Sequence, residues 1–218
     1  MKKFNPQMLN AYFICGSQDL KQDNILTVVQ KALAAGITAF QFRDKGPNSH
    51  FTPDQRLQAA RQLKALCNYY HVPFLIDDDV QLALKVQADG IHVGQSDQKI
   101  TQVIQSVGQK MIIGYSCSNL AEVQAANQID GIDYYGCGPI FATTSKADAS
   151  PVIGISGLTR LVKAATRPVV AIGGIKTDDL PALAQTQAAG AAVISLLTQS
   201  SDYQNTVSQL RTAAWQAN

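Results

Sequence analysis

The sequence predicts an α/β fold, a single (β/α)8 TIM barrel spanning residues 1–218, and three observations predict it. Short apolar runs rich in β-branched and aromatic residues alternate with longer Gln/Ala/Lys-rich stretches of helical period, as happens when each strand returns through a helix and pairs in parallel. Eight such strand-like runs fit within 218 residues, near the lower end of barrel length. Hydrophobic residues make up 46% of the chain and charged residues only 16%, which suits a parallel sheet buried on both faces. A doubly wound open sheet uses the same alternation and is the structural competitor; the eight βα units favour the barrel.

The strands are expected near Tyr12–Gly16, Thr38–Arg43, Phe74–Asp78, Gly90–Val93, Met111–Ser116, Tyr134–Gly138, Pro168–Ile172 and Ala192–Leu196. Helical patterns occupy Asp23–Ala35, Pro53–Tyr70, Val80–Val86, Asn119–Gln128, Ser156–Ala165 and Thr177–Gln185, with a final helix after Ser201. Asn119, Ser156 and Thr177 are expected N-caps, because their side-chain oxygens can accept from first-turn amides. Glycine closes the segment before several strands, as at Gly36, Gly90, Gly131 and Gly190, where it serves the helix-to-strand turn. No linker or low-complexity tract divides the chain, and the polar stretches Lys45–Thr52 and Phe141–Pro151 read as loops after strands.

A formal net charge of +2, with no Lys/Arg block interleaved with aromatics, provides no general attraction for nucleic acid. The first ten residues lack the apolar core of an export signal, and no later apolar run is long enough to span a bilayer, so a soluble, cytoplasmic protein is expected. Cys15, Cys67, Cys117 and Cys137 form no C-x-x-C pair and read as small core residues. Neither spacing nor local sequence favours a catalytic pair of one of them with His71 or His92.

Polar residues concentrate where the strands end, and barrel active sites are built at that face. Alternation places Gln41, Arg43 and Lys45 on one side of an extended segment, with Phe42 and Asp44 on the other. Two cations and an amide suit a diphosphate; a solvated strand end explains the same residues more plainly. Asp77, Asp78 and Asp79 follow an apolar strand. They read either as acidic residues complementing a helix N-terminus or, with Asp97 at the end of the next strand, as ligands for a hard cation such as magnesium. The hydroxyls of Thr143, Thr144 and Ser145, with Lys146, can surround phosphate oxygens or form an ordinary surface loop. Gly173-Gly174 permits close backbone approach, before a helix whose first amides can face an anion. His92, inside a strand, reads as a packed or hydrogen-bonded residue rather than a base.

In order, Tyr12-Phe13-Ile14, Gln41-Phe42-Arg43-Asp44-Lys45, Asp77-Asp78-Asp79, Asp89 through Asp97, Gly138-Pro139-Ile140-Phe141 with Thr143 to Lys146, and Gly173-Gly174-Ile175 resemble the thiamine phosphate synthase family over nearly the whole chain. The resemblance implies that Gln41, Phe42, Arg43, Asp44, Lys45, Asp77, Ser116 and Lys146 belong to the site for 4-amino-2-methyl-5-(diphosphooxymethyl)pyrimidine. Arg43, Lys45 and Lys146 would be catalytic, stabilising charge on the leaving group. It also implies that Thr143, Thr144, Ser145, Gly174, Leu197 and Thr198 bind a thiazole phosphate, and that Asp78 and Asp97 hold a magnesium cofactor.

The implied reaction is a dissociative substitution in which diphosphate leaves the pyrimidine methylene and the thiazole nitrogen captures the resulting cation. The partners implied are these two small molecules, with no nucleic acid and no membrane; the sequence leaves a homodimer open. Several positions depart from the family pattern. Asp44 replaces the usual Glu, Asp77 stands where Asn is common, Ser118 at a frequent His, Ser145 for Thr, and Ala192-Val193 for Asp-Gly. Asp77 matters most, because an ionised carboxylate cannot donate a hydrogen bond as an amide can. A related thiazole tautomerase would need neither the two metal carboxylates nor the diphosphate-binding cations, and a noncatalytic phosphate-binding regulator is the reading from a different class.

Overall fold

The computed structural model describes residues 4–21, 23–145 and 150–216. Its eight strands, all parallel to their neighbours, close into a barrel in sequence order. They are β1 (Ala11–Cys15), β2 (Ala39–Phe42), β3 (Phe74–Asp77), β4 (Gly90–Val93), β5 (Ile112–Ser116), β6 (Tyr134–Cys137), β7 (Val169–Ile172) and β8 (Gly190–Val193). Pairing of β1 with β8, Ala11 opposite Ala191, closes the circle and separates this barrel from an open sheet. The surrounding helices are α1 (Ile25–Ala35), α2 (Pro53–Tyr69), α3 (Val80–Val86), α4 (Ile100–Val107), α5 (Leu120–Asn127), α6 (Gly154–Ala164), α7 (Leu180–Gln185), α8 (Ser195–Thr198) and α9 (Tyr203–Thr212). Among the described residues, no helix is long and apolar enough to cross a membrane.

Strand alternation divides the apolar residues into two cores. Phe13, Phe40, Phe42, Phe74, Ile76 and Ile91 face outward and pack under the helices. Tyr12, Ile14, Leu75, Ile112, Tyr134 and Val170 point inward and fill the barrel. Below them, a 3-10 turn over Pro6–Leu9 carries Met8 and Leu9 into the same inner cluster. A Cβ at position 190 would lie 1.8 Å from the Leu9 carbonyl oxygen, so glycine is required where that turn meets β8.

Local chemistry explains most element ends. Thr52 and Gln55 form a reciprocal capping box at the start of α2, Asn119 caps α5 as expected, and Gly36 ends α1 at φ +94°. Three expectations are corrected. The last strand begins at Gly190 and stops at Val193; Ile194 leaves the extended region, and Ser195–Thr198 turn into a short helix. Because the apolar run continues across both elements, its composition does not mark the boundary. The α6 helix starts at Gly154 without a side-chain cap, leaving Ser156 inside it. Thr177 opens a 3-10 turn preceded by Lys176 rather than capping a helix. The α4 helix lies outside the helical segments expected from the sequence.

Candidate active site

The carboxyl ends of the strands surround one cavity. Gln41 and Arg43 line it from β2, Asp77 from β3, His92 from β4, and Ser116 and Ser118 from β5. Gly136, Gly138, Thr143 and Ser145 line it from β6 and the loop that follows; Gly173 and Gly174 come from β7, and Ile194 and Ser195 from β8. The inward parity of Gln41 follows from β2, whose next residue, Phe42, is turned into the outer core.

Charge is concentrated on the β2–β3 side. Arg43 Nε and Lys45 Nζ lie 3.4 and 3.1 Å from the same Asp77 oxygen, Oδ2. That oxygen is buried and, among the described residues, accepts no directed hydrogen bond, so charge attraction rather than donor geometry holds the two cations to it. Lys45 also contacts Asp78. Burial lowers the Lys45 ammonium's affinity for its proton, but Asp77 and Asp78 outweigh that effect and its pKa is raised.

Asp78 adopts a left-handed backbone at φ 59°, a conformation unusual for a non-glycine residue and concentrated at functional sites. Its carboxyl comes within hydrogen-bond reach of Asp97. Burial, then the Asp97 contact and the Asp77 charge, push its pKa up to about 8, with Lys45 pulling in the opposite direction. Asp97 Oδ2 accepts from Gly94 N at 2.7 Å, which fixes that carboxylate at the β4 end.

The three consecutive aspartates therefore have different settings. Asp79 accepts from Leu82 N at 2.8 Å as the α3 cap and pairs with Arg56, which is the helix-terminus role. Asp77 and Asp78 face the cations. The side chains of Phe42 and Asp44 turn away from the cavity. Phe42 is 2% exposed and packs in the outer core. Asp44, 5% exposed, is taken up by the Ser17 amide at 2.9 Å, the Ser17 hydroxyl and the Ser49 hydroxyl at 2.7 Å, so it braces the rim from behind.

Opposite the charged side, Thr143 and Ser145 reach the cavity, and Ser145 N donates to Thr143 Oγ1 at 3.2 Å. Thr144 lines an adjoining outer groove with Gly174 and Ser195. Gly173 and Gly174 have φ of +101° and +66°, and a Cβ on Gly174 would lie 2.5 Å from the Ala142 carbonyl oxygen. The Leu197 side chain is fully buried in the outer core, because the chain turns helical at Ser195 and carries it inward. Neither it nor Thr198 lines the cavity; Ile194 and Ser195 do. After Gly174 and Ile175, Lys176 N donates to Asp179 Oδ2 at 2.8 Å, just ahead of the Thr177–Asp179 turn that leads into α7. Lys146 lies outside the described residues.

A line of hydrogen bonds crosses the barrel beneath this cavity. Gln41 Nε2 donates to Tyr12 Oη at 2.8 Å, and the Tyr12 and Tyr134 hydroxyls are 2.9 Å apart. His92 Nδ1 lies 3.1 Å from the Tyr134 hydroxyl and Nε2 lies 3.0 Å from Ser116 Oγ. His92 is thus a hydrogen-bonded strand residue as expected, but it also lines the site, a role the sequence reading did not assign. All four cysteines are buried. Burial raises the thiol pKa at Cys15 and Cys137, and pushes it to about 12 at Cys117 with help from the Glu122 charge, so ionised thiolates are disfavoured there.

Residues 11–197 match the family model described as thiamine monophosphate synthase. The chain is 59% identical over 211 residues to a thiamine-phosphate synthase of Lactiplantibacillus plantarum, covering 97% of both chains. It is 57% identical to one of Levilactobacillus brevis, covering 96% of this chain and 97% of the relative. A solved structure of a thiamine phosphate pyrophosphorylase from Pyrococcus furiosus superposes with a TM-score of 0.81 at 32% identity, covering 96% of this chain and 98% of that one.

Proposed function

The chain belongs to the thiamine monophosphate synthase family and is a transferase of thiamine biosynthesis; from this premise we propose that it joins 4-amino-2-methyl-5-(diphosphooxymethyl)pyrimidine to a thiazole ethyl phosphate, or its carboxylated form, by dissociative substitution. The observation that carries this reading is the convergence of Arg43, Lys45, Asp77 and Asp78 on one rim, with Asp97 within hydrogen-bond reach of Asp78. Paired cations beside paired hard-oxygen donors suit a diphosphate with a divalent ion, a combination that a tautomerase or a passive phosphate binder does not need.

Asp78 and Asp97 fit magnesium by donor chemistry and proximity. Two carboxylates suit an ion that keeps waters and takes its remaining oxygens from substrate phosphate. When bound, magnesium would neutralise charge on the diphosphate oxygens. Arg43 and Lys45 do the same with fixed positive charge, exchanging their hold on Asp77 for the departing group. As the methylene–oxygen bond breaks, the bonding electrons leave with diphosphate; the thiazole nitrogen lone pair then forms the new carbon–nitrogen bond, and the carboxylated thiazole would in addition lose its carboxyl group as CO2. Gln41 and Ser116 orient the pyrimidine. Thr143, Ser145 and the Gly173–Gly174 backbone hold the thiazole phosphate, with Ser195 closing that side. The resemblance places Lys146 with the diphosphate. Two bound substrates avoid much of the entropic cost of encounter.

Purified protein supplied with both substrates, with and without magnesium, tests the reading by the appearance of thiamine phosphate and diphosphate. Product in equal amounts with and without the ion, under chelation, would remove Asp78 and Asp97 from the metal role. No product under saturating conditions would overturn the substrate assignment.

A further inference from the structure

The buried chain of hydrogen bonds below the cavity has a direction. Gln41, Tyr12 and Tyr134 are 2%, 1% and 0% exposed, so bulk water does not complete their hydrogen bonding. The Tyr12 oxygen accepts from Gln41 Nε2, and its own proton then goes to the other partner within reach, the Tyr134 oxygen. Tyr134 has one proton to give, and His92 Nδ1 is its acceptor. A neutral imidazole that accepts at Nδ1 carries its proton on Nε2, which donates to Ser116 Oγ. The Ser116 proton is then left for the cavity, and Gln41 keeps its Oε1 as an acceptor there.

We propose that Tyr12, Tyr134 and His92 form a fixed-polarity relay that positions Gln41 as an acceptor and Ser116 as a donor for the pyrimidine ring. This rests on the substrate reading above and deepens it. An aminopyrimidine has exocyclic N–H donors and ring-nitrogen acceptors, which matches one acceptor on β2 and one donor on β5. Tyr12, Tyr134 and His92 act through Gln41 and Ser116 and are positioning residues.

The barrel is built around this chain. A Cβ at position 114 would lie 2.4 Å from both His92 Nδ1 and the Tyr134 hydroxyl, and one at 136 would lie 3.0 Å from His92 Cε1. Glycine on two adjacent strands thus leaves space for the ring and the hydroxyl, where apolar side chains would otherwise fill the barrel. The Phe4 ring stacks on Tyr134 from the lower end, centroids 6.0 Å apart and planes within 9°, and Tyr12 meets Tyr134 edge-on at 6.1 Å. Burial raises the pKa of both tyrosines above the ordinary range, which keeps the hydroxyls protonated and the polarity set. A fully satisfied buried network holds one arrangement, whereas a broken one costs more than apolar packing.

Steady-state kinetics of Tyr134→Phe with both substrates test the relay, alongside a thermal melt. The KM for the pyrimidine diphosphate should rise on the order of tenfold, as expected for loss of one directed hydrogen bond, while the KM for the thiazole phosphate stays within about twofold. Gly114→Ala, which crowds the same two atoms, should show the same split. A folded Tyr134→Phe with both constants unchanged, or both raised equally, would overturn the relay. If that variant does not fold, His92→Leu and His92→Gln carry the comparison. Gln can both accept and donate, so it should restore most of the pyrimidine affinity that Leu loses; equal kinetics for the two would overturn the proposal. Wild-type protein without turnover would overturn the substrate reading itself, a result distinct from an active wild type with an unaltered Tyr134→Phe.

Discussion

Lys45 Nζ and Asp77 Oδ2 lie 3.1 Å apart, and Arg43 approaches the same oxygen to 3.4 Å, so one buried carboxylate holds both Arg43, which lines the cavity, and Lys45 beside it. The family commonly has a neutral amide where Asp77 stands. A carboxylate there competes with an incoming diphosphate for the same two positive groups. Asp77→Asn keeps the shape and removes the charge. Inhibition by inorganic diphosphate should strengthen by roughly three- to tenfold, the scale of one partly screened charge interaction. Unchanged or weaker inhibition would mean that Asp77 supports binding rather than opposing it.

The Asp78 carboxyl, with a pKa near 8 against an ordinary 3.8, makes stability depend on pH in a defined direction. Between those values the folded state binds a proton that the unfolded chain has released, so stability falls as pH rises through the interval. Without metal, the thermal midpoint should drop between pH 5 and 8, and Asp78→Asn should flatten the slope. Magnesium requires the ionised carboxylate, so its stabilising effect should be larger at pH 8 than at pH 6. A melt series at constant ionic strength, with magnesium or with a chelator, measures both slopes; a slope unchanged by Asp78→Asn would assign it to other groups.

Gly174→Ala tests the phosphate side. A methyl group at that φ would press on the Ala142 carbonyl oxygen and displace the loop that carries Thr143 and Ser145. The KM for the thiazole phosphate should rise about tenfold or more, with a smaller effect on the pyrimidine diphosphate. A reversed ranking of the two constants would move the thiazole phosphate elsewhere on the rim.

At the opposite end of the strands, Asp89 accepts from Phe74 N at 2.8 Å and from Lys64 at 2.6 Å. Asp89→Ala should destabilise the fold by about 2–3 kcal/mol, because it strands a buried amide and a largely buried ammonium. Chemical denaturation measures the loss. Kinetics at a temperature where the variant stays folded should be close to wild type, since the site lies at the other end of the barrel.

The barrel was legible because alternation and repeat count act over the whole chain, and single substitutions do not obscure them. Gln41 and Arg43 were legible for the same reason: strand parity sends them to one side and Phe42 to the other. Position within a motif does not report side-chain direction: Asp44 turns to Ser17 and Ser49, and Leu197 into the outer core. The end of β8 was hidden because Val193, Ile194, Leu196 and Leu197 are apolar on both sides of a strand-to-helix break. The relay was hidden more deeply. Tyr12, Tyr134 and His92 are far apart in sequence and look like ordinary strand residues until the closed sheet turns them toward one another; the signal available in advance was glycine at 114 and 136 within apolar strands.

Met8 and Leu9 belong to the apolar cluster that fills the barrel from below, with Phe4 packed against it. A stoppered barrel exchanges solvent through its upper opening. In the reaction proposed above, a pyrimidine and a thiazole filling that opening would leave the electrophilic carbon between them facing a ring nitrogen in place of water. On that proposal, an apolar seal at the far end of the molecule would bear on the fate of the reactive species as much as the groups that generate it.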